Sequence, residues 1–204
     1  MILTLRNKSA RDGIRRAVRQ LKKGGVIAFP TETTYGIGCD PRDGRAVRRV
    51  FRLKGRDPSK PLLLVAASLA QVECVADLSG PSRELARAHW PGPLTLILPV
   101  KRDAGLARGA FVAGEVAIRV SSSAIVRRLT HAFGFPIVAT SANHSNQPEC
   151  RSATAVRFLF ADRLDEIVDG GTLPRRAVST VARVLEDGTI EVARKGAVRL
   201  PSKL

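Results

Sequence analysis

The chain has little sulphur and little aromaticity. Its 204 residues include three cysteines, one tryptophan, one tyrosine and seven phenylalanines. Cys39, Cys74 and Cys150 are odd in number and widely spaced, with no C-x-x-C pair, which argues against a disulfide framework and against a thiolate zinc site. His89, His131 and His144 show no metal-ligand spacing, so no protein metal site is expected. No apolar run reaches the roughly 20 residues of a membrane span, and Met1–Arg6 is too short for a signal peptide. A cytoplasmic protein without a membrane partner is therefore expected. Internal repeats, low-complexity tracts, a Walker loop and a defensible Ser/His/Asp order are absent. Gly36-x-Gly38 lacks the third glycine of a dinucleotide fingerprint.

Acidic residues are also scarce. There are 18 Asp and Glu against 34 Lys and Arg, giving a net charge of +16 and a pI near 11.2. The excess is concentrated in three stretches. Residues 1–25 carry eight cations and one acid, residues 42–60 eight and two, and residues 194–204 four and none. Such a field attracts nucleic acid, nucleotides or anionic membrane. A basic proteome or simple solubility would account for the charge alone equally well.

The remaining composition is that of a globular domain, with 44% hydrophobic and 25% charged residues. Ser9-Ala10-Arg11-Asp12 reads as a capping box, followed by Ile14, Ala17, Val18 and Leu21 at helical spacing and stopped by Gly24-Gly25. Val26–Phe29 reads as a strand ended by Pro30. Asp43-Gly44 opens a second helix, Leu62–Ala66 is a buried strand, and Ser68 looks like an N-cap. Ser82–His89, Ser123–Phe133 and Ser152–Phe160 read as helices. Leu94–Val100, Val116–Val120, Ile137–Thr140 and Glu166–Val168 read as strands. Asp187-Gly188 marks a closing hairpin between Thr180–Leu185 and Thr189–Ala193. Alternating helices and strands with a terminal hairpin give a single α/β domain with a mixed sheet. The loop Lys101–Gly114 is the expected mobile segment.

Three polar clusters stand where strands or helices end. In Thr31-Glu32-Thr33-Thr34, between Pro30 and Gly36, the backbone should turn and offer hydroxyls and N–H groups to a carboxylate or phosphate. Lys54-Gly55-Arg56 sets two cations a residue apart, in a loop held by Lys60-Pro61 and the buried strand; they repel unless an anion sits between them. Ser141-Ala142-Asn143 either caps the next helix or binds phosphate or ribose. Asn146 suits a positive-φ turn. Arg119 interrupts the apolar strand Val116–Val120 and needs a partner, either a protein acid or a ligand carboxylate. Clusters of this kind at strand ends suit an anionic ligand bearing phosphates and a carboxylate.

Together these residues resemble the TsaC/YrdC family of L-threonylcarbamoyladenylate synthases, in its short single-domain bacterial form. The resemblance rests on Pro30–Gly38, on Lys54-x-Arg56 with Ser141-x-Asn143, on Trp90-Pro91-Gly92-Pro93-Leu94-Thr95, on the Val-Ala-Ile-Arg-Val strand and on Ser179-Thr180-Val181. It implies one YrdC-like domain over residues 8–196, with short basic termini at 1–7 and 197–204. The implied fold is a twisted, mixed-sheet open sandwich flanked by helices, with a basic concave cavity.

The implied reaction joins threonine, bicarbonate or CO2, and ATP into threonylcarbamoyl-AMP and pyrophosphate, for modification of adenosine 37 in tRNAs reading ANN codons. The resemblance assigns threonine to Thr33, Arg119 and Ser179. It assigns ATP to Arg56, Lys60, Ser141 and Arg194, and a shared catalytic set to Lys54, Arg56, Ser141 and Asn143. Mg2+ would arrive with ATP. Downstream tRNA-modifying proteins and weak tRNA or RNA binding are the implied partners; a non-catalytic RNA-binding module of the same fold is the alternative. Glu115, Lys60 and Asn146 depart from common family residues, and Glu115 is left out of the site because an acid would repel phosphate.

Overall fold

The computed structural model describes residues 8–204, with side chains from Arg11 onward. The expected basic N-terminus at 1–7 and the Ser9 side chain of the capping box lie outside the described residues. Helix α1 (Lys8–Lys22) turns Ile14, Ala17 and Leu21 inward and leaves Arg11, Arg15, Arg16, Arg19 and Lys22 exposed. This is the amphipathic split that helical spacing dictates.

Strand β1 (Ile27–Pro30) folds back through Thr31–Thr34 onto β2 (Tyr35–Gly38), and the two pair antiparallel. Strand β2 adds to the sequence reading, which placed the turn over Thr31–Thr34 and no strand after it. Its glycines admit a close neighbour: a Cβ on Gly38 would overlap the Val138 carbonyl and crowd the Phe29 ring.

Helix α2 (Gly44–Lys54) starts at Asp43, whose carboxylate accepts from the Arg45 and Ala46 N–H groups. It ends at Gly55 in the left-handed region, φ 56°. There follow β3 (Leu64–Ala66), the short α3 (Leu69–Glu73) capped by Ser68, α4 (Gly80–His89), β4 (Leu94–Pro99) and β5 (Glu115–Val120). Then come α5 (Ala124–Phe133), β6 (Ile137–Val138), β7 (Thr140–Ser141), α6 (Ala153–Phe160), β8 (Glu166–Ile167), β9 (Thr180–Val184) and β10 (Ile190–Arg194).

Two mixed sheets result. One has the order β7-β2-β1-β8, the other β10-β9-β4-β5-β3-β6. The single strand expected over Ile137–Thr140 is split between them. Val138 pairs with Leu64 of the larger sheet, while Thr140 pairs with Ile37 of the smaller. Between the two, the Ala139 N–H donates to the Leu63 carbonyl at 2.7 Å. The segment therefore stitches the sheets together at the seam where the polar clusters gather.

Alternation along buried strands feeds two cores. Ala28, Ile37, Leu64, Ala66, Leu96 and Ile118 pack with Val47 and Val50 of α2 and with Val156 and Phe160 of α6. Ile27, Phe29, Val65 and Ile137 point the other way, onto α1 and α5.

The expected mobile loop Lys101–Gly114 is tied down. The Leu62 N–H donates to the Gly109 carbonyl at 2.9 Å and the Ala107 N–H to the Pro41 carbonyl at 2.9 Å, while Ala104 and Ala110 are buried. Residues 197–204 likewise lie along the last hairpin. The Val198 N–H donates to Thr180 Oγ1 at 3.0 Å and the Ile190 N–H to the Ser202 carbonyl at 2.8 Å.

Candidate active site

A cleft opens over the seam. The β1–β2 turn and β2 supply Thr31, Thr33, Thr34 and Gly36, and the stitching segment supplies Ala139, Thr140 and Ser141. Arg56, Arg119, Ser179 and Arg194 enter from the larger sheet and its loops, with Glu149, Leu63 and Val178 completing the wall.

The threonine turn holds its own shape. Thr31 Oγ1 accepts from the Thr33 and Thr34 N–H groups, both at 3.2 Å, and donates to the Thr34 carbonyl at 2.7 Å. Such a side-chain-closed turn fixes the backbone without help from a ligand. Thr33 Oγ1 meets Thr31 Oγ1 at 3.1 Å and keeps hydrogen-bonding capacity for the cleft.

Lys54 and Arg56 go separate ways, because Gly55 reverses the chain between them. Lys54 is buried, and its ammonium donates to the Ser141 carbonyl at 2.5 Å, to the Asn143 carbonyl at 2.9 Å and to Asn143 Oδ1 at 2.9 Å. Those three bonds use all its protons. Burial, reinforced by nearby Arg56, lowers its pKa to about 8. Asn143 is equally committed: its Oδ1 accepts from Ser141 Oγ at 2.7 Å and its Nδ2 donates to the Gln147 carbonyl at 2.6 Å.

Lys54 and Asn143, expected in the catalytic set, spend these polar atoms on protein partners and are absent from the cleft wall. They form a plug beneath Ser141, and no anion is needed between the two cations. The Ser-x-Asn pair does not cap the next helix either; Ser152 caps α6.

Arg56 Nε donates to the Lys60 carbonyl at 3.1 Å and Nη2 to the Pro61 carbonyl at 3.0 Å, so the guanidinium is braced while it lines the cleft. Lys60 is exposed and absent from the cleft wall, because the loop turns its carbonyl inward and its side chain out. What Lys60 gives the site in this structure is its carbonyl, which braces Arg56.

Arg119 has found a protein acid. Its Nε lies 3.1 Å from Glu32 Oε1, with both side chains almost wholly buried. Arg119 Nη1 donates to Ser179 Oγ at 3.1 Å. Arg194, which follows a bulge in β10, donates to the Ser179 carbonyl through Nε at 3.1 Å and Nη2 at 2.9 Å, and from Nη2 to Ser179 Oγ at 2.9 Å. Thr95 Oγ1 meets the same hydroxyl at 3.0 Å. The Trp-Pro-Gly-Pro segment thereby acquires a role, since it delivers Thr95 beneath Ser179.

Three guanidiniums converge on this cleft, and Glu149 is the one acid on its wall among the described residues. Burial holds Arg56 and Arg194 below their usual values, and for Arg194 the nearby Arg119 and Arg56 add to the effect. Crowded, partly desolvated cations suit an anion. Asn146 adopts φ 65°, as its residue type suggested. Glu115 pairs with Arg183 and stays out of the cleft. Among the described residues no cluster of His, Cys, Asp and Glu could hold a metal ion, and no helix is long and apolar enough to cross a membrane. Glu32 and Glu149 went unassigned in the sequence reading; the one signal was an acid inside an otherwise threonine-rich turn.

The chain is similar to known proteins over most of its length. The family model Sua5/YciO/YrdC, described as telomere recombination, matches residues 19–196. A threonylcarbamoyl-AMP synthase of Photobacterium profundum is 37% identical over 180 residues, covering 86% of this chain and 96% of that protein. A structure of P. abyssi Sua5 complexed with L-threonine superposes with a TM-score of 0.80 at 36% identity, covering 90% of this chain; the chain spans 54% of that longer protein. E. coli YciO superposes with a TM-score of 0.84 at 26% identity, over 97% of this chain and 95% of its own.

Proposed function

The chain belongs to the Sua5/YciO/YrdC family, and from that premise we propose that it synthesises threonylcarbamoyl-AMP from L-threonine, bicarbonate or CO2, and ATP, releasing pyrophosphate. Relatives bearing that name, 37% identical over most of the chain, support the activity. The observation that carries it is the convergence of Arg56, Arg119 and Arg194 with a rigid threonine turn in one cleft.

The threonine carboxylate pairs with Arg119, and the Thr33 and Ser179 hydroxyls hold the rest of the amino acid. Arg56, Arg194 and Ser141 face the phosphates of ATP, which arrives with Mg2+. Lys54 and Asn143 act one layer down, by fixing Ser141. The threonine ammonium loses one proton to water, the free amine adds to CO2, and a second proton leaves to water as the carbamate forms. A carbamate oxygen attacks the α-phosphorus, and the bond to the pyrophosphate oxygen breaks. The cleft contributes proximity and charge stabilisation along this path, which needs no dedicated proton shuttle.

The product feeds threonylcarbamoylation of adenosine 37 in tRNAs reading ANN codons, through downstream tRNA-modifying proteins in the cytoplasm. Exposed Arg11, Arg15, Arg19, Lys22 and Lys23 on and beside α1 support weak, sequence-independent RNA binding. The deciding experiment is pyrophosphate release from ATP. It should require threonine and bicarbonate together; release that ignores either one contradicts the assignment.

A further inference from the structure

The pair formed by Arg119 and Glu32 has one member in the cleft and one behind it. Arg119 lines the wall, whereas Glu32 does not, although Thr31 and Thr33 on either side of it do. The self-closed turn causes this: three threonines face the cleft, and the acid between them is driven back into the protein. There its side chain keeps only 6% of its exposure, beside an Arg119 that keeps 7%.

Glu32 is fixed from the far side as well. Its Oε2 accepts from Ser121 Oγ; that hydroxyl in turn accepts from the Ser123 N–H at 3.1 Å, and Ser123 Oγ donates to the Pro30 carbonyl at 3.1 Å. The carboxylate is therefore tied at once to the turn, to the start of α5 and to the end of β5. Between Glu32 Oε1 and Arg119 Nε the separation is that of an ion pair, yet neither atom has a well-directed hydrogen bond. The contact is mainly one of charge.

We propose that Glu32 is a positioning and specificity-determining residue, which holds Arg119 and cancels its charge so that this guanidinium takes an amino-acid carboxylate and refuses phosphate. The inference rests on the threonine reading above. Its logic is a division of charge. Arg56 and Arg194 have no carboxylate against them at ion-pair distance among the described residues, although Arg194 shares the Ser179 hydroxyl with Arg119 and Glu149 stands on the same wall. Arg119 with Glu32 behind it is neutral overall. A zwitterion, itself neutral, fits beside such a pair, whereas a polyanion gains most from the two guanidiniums that lack an ion-paired acid. Without Glu32 the cleft would hold three guanidiniums against the single wall acid Glu149 among the described residues, and phosphate groups could compete for all of them.

The test compares wild type with Glu32→Gln, which keeps the shape and removes the charge, and with Glu32→Asp, which keeps the charge on a shorter arm. Threonine affinity by calorimetry should fall at least about tenfold in Glu32→Gln, the scale of one charge-assisted contact, and should recover in part in Glu32→Asp. The KM for ATP should move less than about twofold. Inorganic phosphate should become a competitive inhibitor against threonine in Glu32→Gln and not in wild type, a signature that mere loss of stability would not produce. If Glu32→Gln is too unstable to purify, Ser121→Ala loosens the same carboxylate without removing it and should show the same pattern more weakly.

Equal losses for threonine and ATP, or unchanged threonine affinity, would overturn the inference while leaving the proposed activity standing. A wild type that binds no threonine would overturn both.

Discussion

The surface of α1 and the wall of the cleft are both rich in cations, yet they are built differently. On α1 the guanidiniums stand in solvent. Arg15 pairs with Asp12 one turn away and Arg16 with Glu166 across the surface. Removing any one of them leaves the packing of Ile14, Ala17 and Leu21 untouched. In the cleft each cation is held by named protein oxygens: Arg56 by two carbonyls, Arg194 by Ser179, and Arg119 by Ser179 and Glu32. Burial depresses Arg56 and Arg194 there, and repulsion from Arg119 and Arg56 adds to it for Arg194. Constraint, more than the amount of charge, marks the site. Exposed pairs of the α1 kind are worth about 0–1 kcal/mol each, whereas a partly desolvated guanidinium facing an anion carries several times that.

The sharpest way to break this contrast is at Arg119. Arg119→Leu should abolish threonine binding, and it should also destabilise the empty protein by about 3–5 kcal/mol, because Glu32 would be left buried and alone. The double variant Arg119→Leu/Glu32→Leu should regain much of that stability and none of the binding. Thermal melts and calorimetry together read both effects; a single variant as stable as wild type would mean the pair is not coupled.

Arg56→Ala comes next. One charge-assisted phosphate contact is worth about 1.5–3 kcal/mol, so adenylate formation should drop by at least about tenfold with the melting temperature little changed. Normal turnover in the folded variant would remove Arg56 from the phosphate end.

Lys54 tests the layer beneath. Its folded pKa of about 8 lies below the ordinary value of 10.5. Between those two values the unfolded chain holds a proton that the folded chain has released. The Lys54 contribution therefore makes stability rise with pH across that window and is flat below it. Activity should run the opposite way, since a neutral amine has two N–H groups for three oxygens and Ser141 loosens. A pH–rate profile falling above about 8, and a Lys54→Met variant lacking that limb, are the expected results. Identical profiles for both proteins would exclude the link.

The smallest effect belongs to α1. Reversing Arg11, Arg15 and Arg19 to Glu should leave adenylate synthesis within about twofold of wild type, while tRNA retention at low salt falls. If wild type retains no tRNA even at low salt, the charge of α1 has no RNA role.

Much of this arrangement was legible in the chain, for local reasons. Buried strands such as Leu64–Ala66 announce themselves by composition, Asn146 by its tolerance of positive φ, and the Thr-rich turn and Ser141 by position. What stayed hidden depends on partners distant in sequence. Lys54 and Arg56 look alike on paper, and only the left-handed Gly55 shows that one is saturated from within and the other open. Glu32 reads as one more polar turn residue until β5 brings Arg119 beside it. The split at Ala139 follows from two sheets competing for one strand, and β2 was obscured because Gly38 is required by the neighbouring Val138 backbone. Local chemistry named loops that meet at one cleft, and long-range packing decided which of their side chains line it.

The most direct test of the central claim is to incubate the protein with ATP, Mg2+, threonine and isotopically labelled bicarbonate, and to weigh the adenylate by mass spectrometry. The account predicts a threonylcarbamoyl-AMP carrying the label, formed by wild type and by the α1 charge-reversal variant and nearly absent with Arg56→Ala or Arg119→Leu. Adenylate without the label, or labelled adenylate formed equally well by the two cleft variants, would contradict it.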